Sequence, residues 1–483
     1  MKCEFVERMR KGQSLMTCDV DVVIVGAGPA GMAAASALAQ YRAKVVVLDE
    51  QGEPGGQIYK SIETVYRSRP ADIDFLGPSY FEGDEIVKKF RAEDIDYRPR
   101  STVWHIGSDI SFKRRDVFYS RNGTSNKLRP KYIVIATGAI ERPVPIEGWT
   151  LPGVMTAGAV QSALKTSGIY PSGKLALVGS GPLVLQLANQ LLEAHIPISA
   201  IVDTTPTGSI SRAVAHFPRA ITATDYLLRG WKMIKKIKKS GVKVYQSSSN
   251  IRVNGDRCVE GLSFISRGVG LNIPVDVVAL HEGVIPNTQL TRLLSVDHAW
   301  NKRQRAFFPI LTGWGETSIA GVFVAGDGGG ISGAKSAILS GEITGRMIAQ
   351  KLDLINESAR DLPAEEARLK RLLDTGIRPL LEALYPAPDW IAETSNETLI
   401  CRCEEITSGQ LRTVISQGCY GPNQAKAFLR CGMGACQGRM CGATVTEIIA
   451  RELRRSPSAV GSYNIRPPIK PISLGELASL QDV

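Results

Sequence analysis

The chain has 483 residues, of which 43% are hydrophobic and 22% charged, and a formal charge of +11. That length exceeds one ordinary core and predicts two to four domains, and the composition excludes bulk disorder. The excess of Lys and Arg is spread along the whole chain, with one dense run at Lys232, Lys235, Lys236, Lys238, Lys239 and Lys243 and no nucleic-acid motif beside it. These lysines share a helical pattern with Leu228, Trp231, Ile234 and Ile237. The pattern predicts a helix stopped at Gly241 with a basic face read as solvated in preference to a membrane or nucleic-acid patch.

Residues 1–17 read as a poorly structured lead. The first twenty residues mix both charge signs and lack an apolar core segment, so no signal peptide is expected. Only Val22 to Ala39 is long and uncharged enough to imitate a membrane span, and Gly26, Gly28, Pro29 and Gly31 break it. The expectation is a soluble, cytoplasmic protein without a direct membrane span, which would meet the inner membrane only through its electron acceptor.

The stretch from Val22 to Glu50 organises the rest. A β-branched run leads into Gly26, Gly28 and Gly31 at G-x-G-x-x-G spacing, then an Ala-rich helical segment including Ala30, a second β-branched run and the acids Asp49 and Glu50. Gly26 allows the sharp turn, Gly28 lets backbone N–H groups approach a pyrophosphate, and Gly31 lets the helix pack closely while its N-terminus faces negative charge. Asp49 sits where an acceptor for ribose hydroxyls is needed. Gly55, Gly56 and Gln57 form the next loop, and residues 61–130 are a polar, Arg-rich insertion with short alternating runs at Ile110 to Phe112 and Val117 to Ser120. At Tyr132 to Ile135 a buried strand is predicted, ending in the tight turn Ala136, Thr137 and Gly138.

Followed by Arg142 and Pro143, that turn resembles the crossover between domains in the two-dinucleotide-binding flavoproteins, the family of glutathione and thioredoxin reductases. The segment holding Gly326 and Asp327 resembles the family's second FAD fingerprint, which implies that Asp327 accepts hydrogen bonds from the ribityl chain. On this resemblance the Gly56–Gln57 loop lies against the flavin's ribityl or ring. The implied order is an FAD domain over 18–150, a second Rossmann domain over 151–285, and a return to the FAD domain over 286–355.

The second signature has Gly179 and Gly181 but places Val184 where the third small residue belongs. A β-branched side chain there is expected to crowd the pyrophosphate, so the domain keeps its architecture without using NAD(P)H as a redox substrate. Asp203, after the run Ile198 to Val202, could hold a ribose if a nucleotide binds. Strand-like segments follow at Val242 to Tyr245, Cys258 to Ile265 and Val275 to Leu280. His281 and Glu282 either end a strand or face a flavin or channel. With only Cys18 and Cys258 in the flavoprotein region, no dithiol relay is expected.

Residues 356–395 read as a helical connector and 396–456 as a small metal domain. Six of the nine cysteines fall between Cys401 and Cys441, a clustering that points to a metal site. Cys401 and Cys403 give a C-x-C pair, Cys436 and Cys441 a C-x4-C pair in a loop with Gly432, Gly434, Gly438 and Gly442. Those glycines would let the loop fold around inorganic sulfides, and Arg402, Arg430 and Arg439 supply positive charge. The pattern resembles the bacterioferritin-associated ferredoxin-like [2Fe-2S] domain. Cys431 could replace Cys436, but the fused domains' GMGxCQGxxC pattern favours Cys436, leaving Cys431 and Cys419 as packing residues. Zinc is the alternative, disfavoured by the C-x-C spacing. The proline-rich tail, 457–483, is expected to run extended across a surface.

Taken together, almost the whole chain resembles the large α-type subunits of heteromeric opine oxidases and amino-acid dehydrogenases, a family that takes in hydrogen cyanide synthase and the dye-linked proline and hydroxyproline dehydrogenases. The resemblance implies an α/β, glutathione-reductase-like flavoprotein carrying FAD and a [2Fe-2S] cluster, often with FMN at the interface with a β subunit. That FAD-dependent partner, related to D-amino-acid oxidases, oxidises the amine, and a small ferredoxin-like γ subunit can accompany it. No catalytic residue is expected here, since no nucleophile-and-base set is present. Two alternatives stand beside this relay: an NAD(P)H-dependent reductase that loads its own cluster, and a nucleotide-binding subunit that scaffolds a catalytic partner.

Overall fold

The computed structural model describes residues 20–108 and 115–482. The lead at 1–17, Cys18 and the run Ile110 to Phe112 lie outside the described residues.

The β-branched runs become strands of a five-stranded parallel sheet in the order Val322–Val324, Pro130–Ile135, Val20–Val25, Val45–Leu48, Asp96–Arg98. Val22 lies opposite Val45 and Ile24 opposite Val134, the continuous apolar pairing that a sheet covered on both faces requires. Helix Pro29–Ala39 is buried along most of its length because small alanines let it approach its neighbours. Helix Ala334–Lys351 packs on it at Gly341, where a Cβ would stand 2.1 Å from the Ala30 carbonyl oxygen.

A second parallel sheet follows in the order Lys243–Tyr245, Ala200–Asp203, Leu175–Gly179, Val277–His281, Val154–Thr156. The chain enters and leaves this unit through an antiparallel pair, Ala139–Glu141 with Val284–Pro286. Each unit also carries a three-stranded antiparallel sheet, one over 102–128 that includes Arg115–Arg121 and one over 248–274 that includes Gly261–Ser266. In the basic helix, Thr224–Lys239, only Ile237 of the four apolar pattern residues is buried.

Helices Glu357–Asp374 and Arg378–Leu384 lead to a short hairpin, Leu399–Cys401 with Ile406–Thr407, and to helices Ser408–Ser416, Pro422–Leu429 and Gly442–Glu452. This C-terminal unit shares a hydrophobic core with the first sheet, running from Val23 and Ile133 through Val117 to Leu411, Val445 and Ile448. The tail departs from the expected extended run: it forms a helix at Leu474–Ala478, because Ser473 and Glu476 cap it reciprocally and its prolines end at Pro471. Among the described residues no helix is long and apolar enough to cross a membrane.

Candidate functional site: a dinucleotide cavity and a cysteine centre

Strands of the first sheet point their C-terminal ends into a cavity of about 700 Å³, the usual place for a ligand in an open parallel sheet. Its walls include Gly26, Gly28, Pro29, Ala30, Asp49, Glu50, Gly56, Gln57, Ala136, Thr137, Gly138, Gly326 and Asp327. Gly31 stands just behind the wall. A Cβ there would meet the Gly26 carbonyl oxygen at 1.9 Å, so only glycine lets the helix close on the loop. Gly28 and Gly56 bring two loops together: a Cβ on Gly56 (φ +63°) would lie 2.8 Å from Gly28 Cα. The helix that starts at Pro29 presents its unpaired N–H groups and positive dipole end to this space.

The acids divide their labour. Asp49 is 6% exposed. Its Oδ1 accepts from Gln51 N at 2.6 Å and its Oδ2 from Ala27 N, and burial raises its carboxyl pKa above the ordinary value. Its carboxylate thus braces the glycine loop, and the residue also lines the cavity where a ribose acceptor was expected. Glu50 lines the same cavity and is in an ion pair with Lys470 at 2.7 Å. Asp327 Oδ1 accepts from the backbone N–H groups of Ser332 (2.8 Å) and Gly333 (3.1 Å). Three buried polar atoms of cavity-lining residues, Ser101 Oγ, Gln289 Oε1 and Arg439 Nε, have no partner among the described residues. Such orphans suit a large polar ligand.

The second unit closes the far wall with Gln161, Lys165, Leu183 and Gln186. Lys165 Nζ donates to the carbonyls of Gln57 (3.2 Å) and Ile58 (3.0 Å), and burial pushes its amine down to about 7. Glu141, on the crossover strand, accepts from Gly158 N at 2.9 Å and meets His281 Nδ1 at 2.6 Å.

His281 and Glu282 therefore part company. Glu282 lines a second cavity of about 1000 Å³, with Ser180, Thr204 and Arg212, roofed by Pro386 and Trp390 of the connector. Its carboxylate accepts from Thr204 Oγ1 (2.7 Å) and Ser180 Oγ (3.4 Å), and burial raises it to about 7. Val184 does not crowd this cavity. It is buried in the core with Leu177 and Leu187, and Asp203 spends Oδ1 on Thr205 N at 2.9 Å.

In the C-terminal unit the buried sulfurs of Cys401, Cys431 and Cys441 all lie within 4.8 Å of one another. Cys403 and Cys436 form a hydrogen-bonded pair beside this trio, and Cys403 also feels the charge of Cys401. Thus Cys431, read as packing, joins the sulfur centre. The signal was present in the sequence, since Cys431 and Cys436 repeat the C-x4-C spacing of Cys436 and Cys441. Arg430, at φ +60°, ends helix Pro422–Leu429 and turns Cys431 inward. Cys419 stays apart, its thiol donating to Gly421 O at 3.5 Å. Hydrogen bonds from Cys431 and Cys441 hold the Cys401 thiol far below the ordinary range, and the Cys401 partner pushes Cys431 up to about 12.

The loop's glycines answer to protein groups. Cβ atoms on Gly432 or Gly438 would stand 2.6 Å from the Tyr463 ring, and one on Gly434 would stand 2.3 Å from Cys403 Cβ. The Tyr463 hydroxyl donates to Cys431 Sγ at 3.3 Å. Gln289 Nε2 donates to Gln437 O at 3.2 Å, and Arg439 lines the dinucleotide cavity. The segment between Cys436 and Cys441 therefore borders both sites. Clustered soft thiol donors with nearby arginine suit an iron–sulfur cluster or another thiophilic metal.

The family model for pyridine nucleotide-disulphide oxidoreductases matches residues 20–341, and that for the sarcosine oxidase A3 domain matches residues 395–481. The chain is 41% identical over 467 residues to the A subunit of opine oxidase from Agrobacterium tumefaciens (strain Ach5), covering 95% of this chain and 92% of that one. It is 43% identical over 469 residues to the corresponding opine oxidase chain of Rhizobium meliloti, covering 95% and 87%. Among solved structures, L-proline dehydrogenase from P. horikoshii shares the fold with a TM-score of 0.68 at 19% identity, over 95% of this chain and 79% of that one.

Proposed function

Because the chain belongs to the pyridine nucleotide-disulphide oxidoreductase family, we propose that it is the electron-transfer subunit of a heteromeric opine or amino-acid dehydrogenase. The observation that carries this reading is the segment between Cys436 and Cys441, which lines the dinucleotide cavity with Arg439, accepts from cavity-lining Gln289 at the Gln437 carbonyl, and meets the sulfur centre through its two cysteines. Among the described residues no cysteine lines that cavity, which supports an outlet through this segment in place of a dithiol.

In this reading Gly26, Gly28, Pro29, Ala30 and Gly31 seat the FAD pyrophosphate at the helix N-terminus. Glu50 takes the ribose, with Asp49 holding the loop. Gly56, Gln57, Ala136, Thr137, Gly138, Gly326 and Asp327 line the ribityl chain and ring. Cys401, Cys403, Cys436 and Cys441 hold a [2Fe-2S] cluster in the C-terminal ferredoxin-like unit, with Cys431 as a fifth sulfur within reach. When bound, the flavin supplies two-electron acceptance with one-electron release, and the cluster one-electron carriage. Lys165, poised near neutrality, holds a proton beside Gln57, and the connector and tail keep water from the cavity walls they cover.

Amine oxidation is assigned to a D-amino-acid-oxidase-like β subunit, with FMN at the shared interface and a small ferredoxin-like γ subunit completing a cytoplasmic complex. The names of the two relatives, both subunits of an opine oxidase, support a heteromer acting on C–N bonds. The test is to co-purify the complex and follow visible and EPR spectra during addition of opines. Flavin in this chain should be reduced only when the partner is present, and a cluster signal should follow. Loss of that signal in Cys436→Ser but not Cys431→Ser supports the ligand set, and the reverse result hands the role to Cys431. The second cavity favours one other reading, an NAD(P)H-fed reductase. Rapid bleaching of the isolated chain by NADH would establish it and overturn the relay.

A further inference from the structure

The segment Ser209–Lys239 holds eight Lys or Arg residues against one acid, Asp225, which is already paired with Arg229 and Lys335. It runs through helices Ser209–Val214, Phe217–Ala220 and Thr224–Lys239. Along it, large apolar side chains point to solvent: Ile210 is 75% exposed, Val214 64%, Phe217 50%, Ile221 54%, Leu228 59% and Trp231 58%. Lys236 pairs with Glu193, whereas Lys232, Lys235, Lys238 and Lys239 make no ion pair among the described residues. Lys235 Nζ lies over the Trp231 ring, 4.6 Å from its centroid, a cation–π contact that sets positive charge directly beside the exposed indole.

We propose that this face is a membrane-docking surface that lies on an anionic lipid bilayer without crossing it. Two features favour lipid over protein. The centre of a protein interface is depleted of lysine, but here lysines are interleaved with the exposed Leu228 and Trp231. A helix that lies in the headgroup region needs this mixture: aromatic and aliphatic side chains sunk a few ångströms, with lysine ammonium groups reaching back to lipid phosphates. The charge of the segment also opposes that of an anionic leaflet, while in helix Thr224–Lys239 only Ile237 is buried against the rest of the protein. The proposal is independent of the cofactor assignment. It gives an electron-transfer chain a fixed orientation toward a membrane-resident acceptor.

The test is co-sedimentation of the full-length protein, as purified complex, with vesicles of phosphatidylcholine alone or enriched in phosphatidylglycerol. Binding to the anionic vesicles only, released by added salt, is the expected result. Trp231→Glu should abolish it with flavin content and amine oxidation in solution unchanged, and the double variant Lys235→Glu, Lys239→Glu should weaken it by about tenfold or more. Equal sedimentation of Trp231→Glu and the unaltered protein, or none of either, would overturn the proposal. So would a Trp231→Glu complex that falls apart on gel filtration without vesicles, which would make this face a contact between subunits.

Discussion

The loops after Val25 and Gly179 begin alike and end in different chemistry. Both end a strand, turn through glycine and enter a helix at Pro29 or Pro182. The first helix is lined with alanine and closes on its loop through Gly31, beside a cavity whose walls combine loop backbone with Asp49, Glu50, Asp327 and Lys165. The second is anchored by Val184, Leu187 and Leu191 in its own core, and its cavity holds the buried carboxylate of Glu282. One topology thus encloses two cavities of different chemistry, and the difference rests on what faces each loop.

Exchanging the third loop residue should break the comparison hardest. Gly31→Val forces a side chain into the Gly26 carbonyl and should cost about 4 kcal/mol, with bound flavin lost from the visible spectrum. The converse change, Val184→Gly, removes a buried side chain and loosens a helix, for between about 3 and 4 kcal/mol in urea unfolding. NADH should still fail to bleach that variant. Rapid bleaching would show that Val184 alone had closed the second site.

Glu282→Gln sharpens the same contrast through pH. The folded carboxyl, raised to about 7, keeps its proton where the unfolded one has lost it. Stability is therefore full below the unfolded value and falls as pH rises through the window up to about 7, by up to about 3 kcal/mol. The variant should flatten that slope, as read from melting temperatures across the window. Arg439→Met should have the smallest effect, a roughly tenfold faster flavin dissociation from one lost charged hydrogen bond.

What the sequence disclosed and what it concealed follow from the range of the interactions. The glycine spacing was readable because each glycine answers to a neighbour on the same βαβ unit, and the strand from Tyr132 because a buried parallel strand needs a continuous apolar run. The division between Asp49 and Glu50 was not readable, since it depends on Ala27, Gln51 and a lysine 420 residues away. Cys431 was legible in its C-x4-C spacing to Cys436, but its inward direction comes from the left-handed turn at Arg430, which spacing does not show. The exposure of Trp231 was ambiguous because a helical pattern shows which residues share a face and leaves open whether that face is covered.

The same distant lysine has a consequence for the order of assembly. Ile469 and Lys470 line the cavity that the first glycine loop opens, Lys470 pairs with Glu50, and Ile469 N donates to Trp104 O at 2.9 Å. A dinucleotide held in this cavity would lie against the strap, so docking of the tail should slow its release. Loading should therefore be quick in a chain whose tail has yet to dock and slow afterwards, so that occupancy records the history of folding more faithfully than the concentration of free flavin.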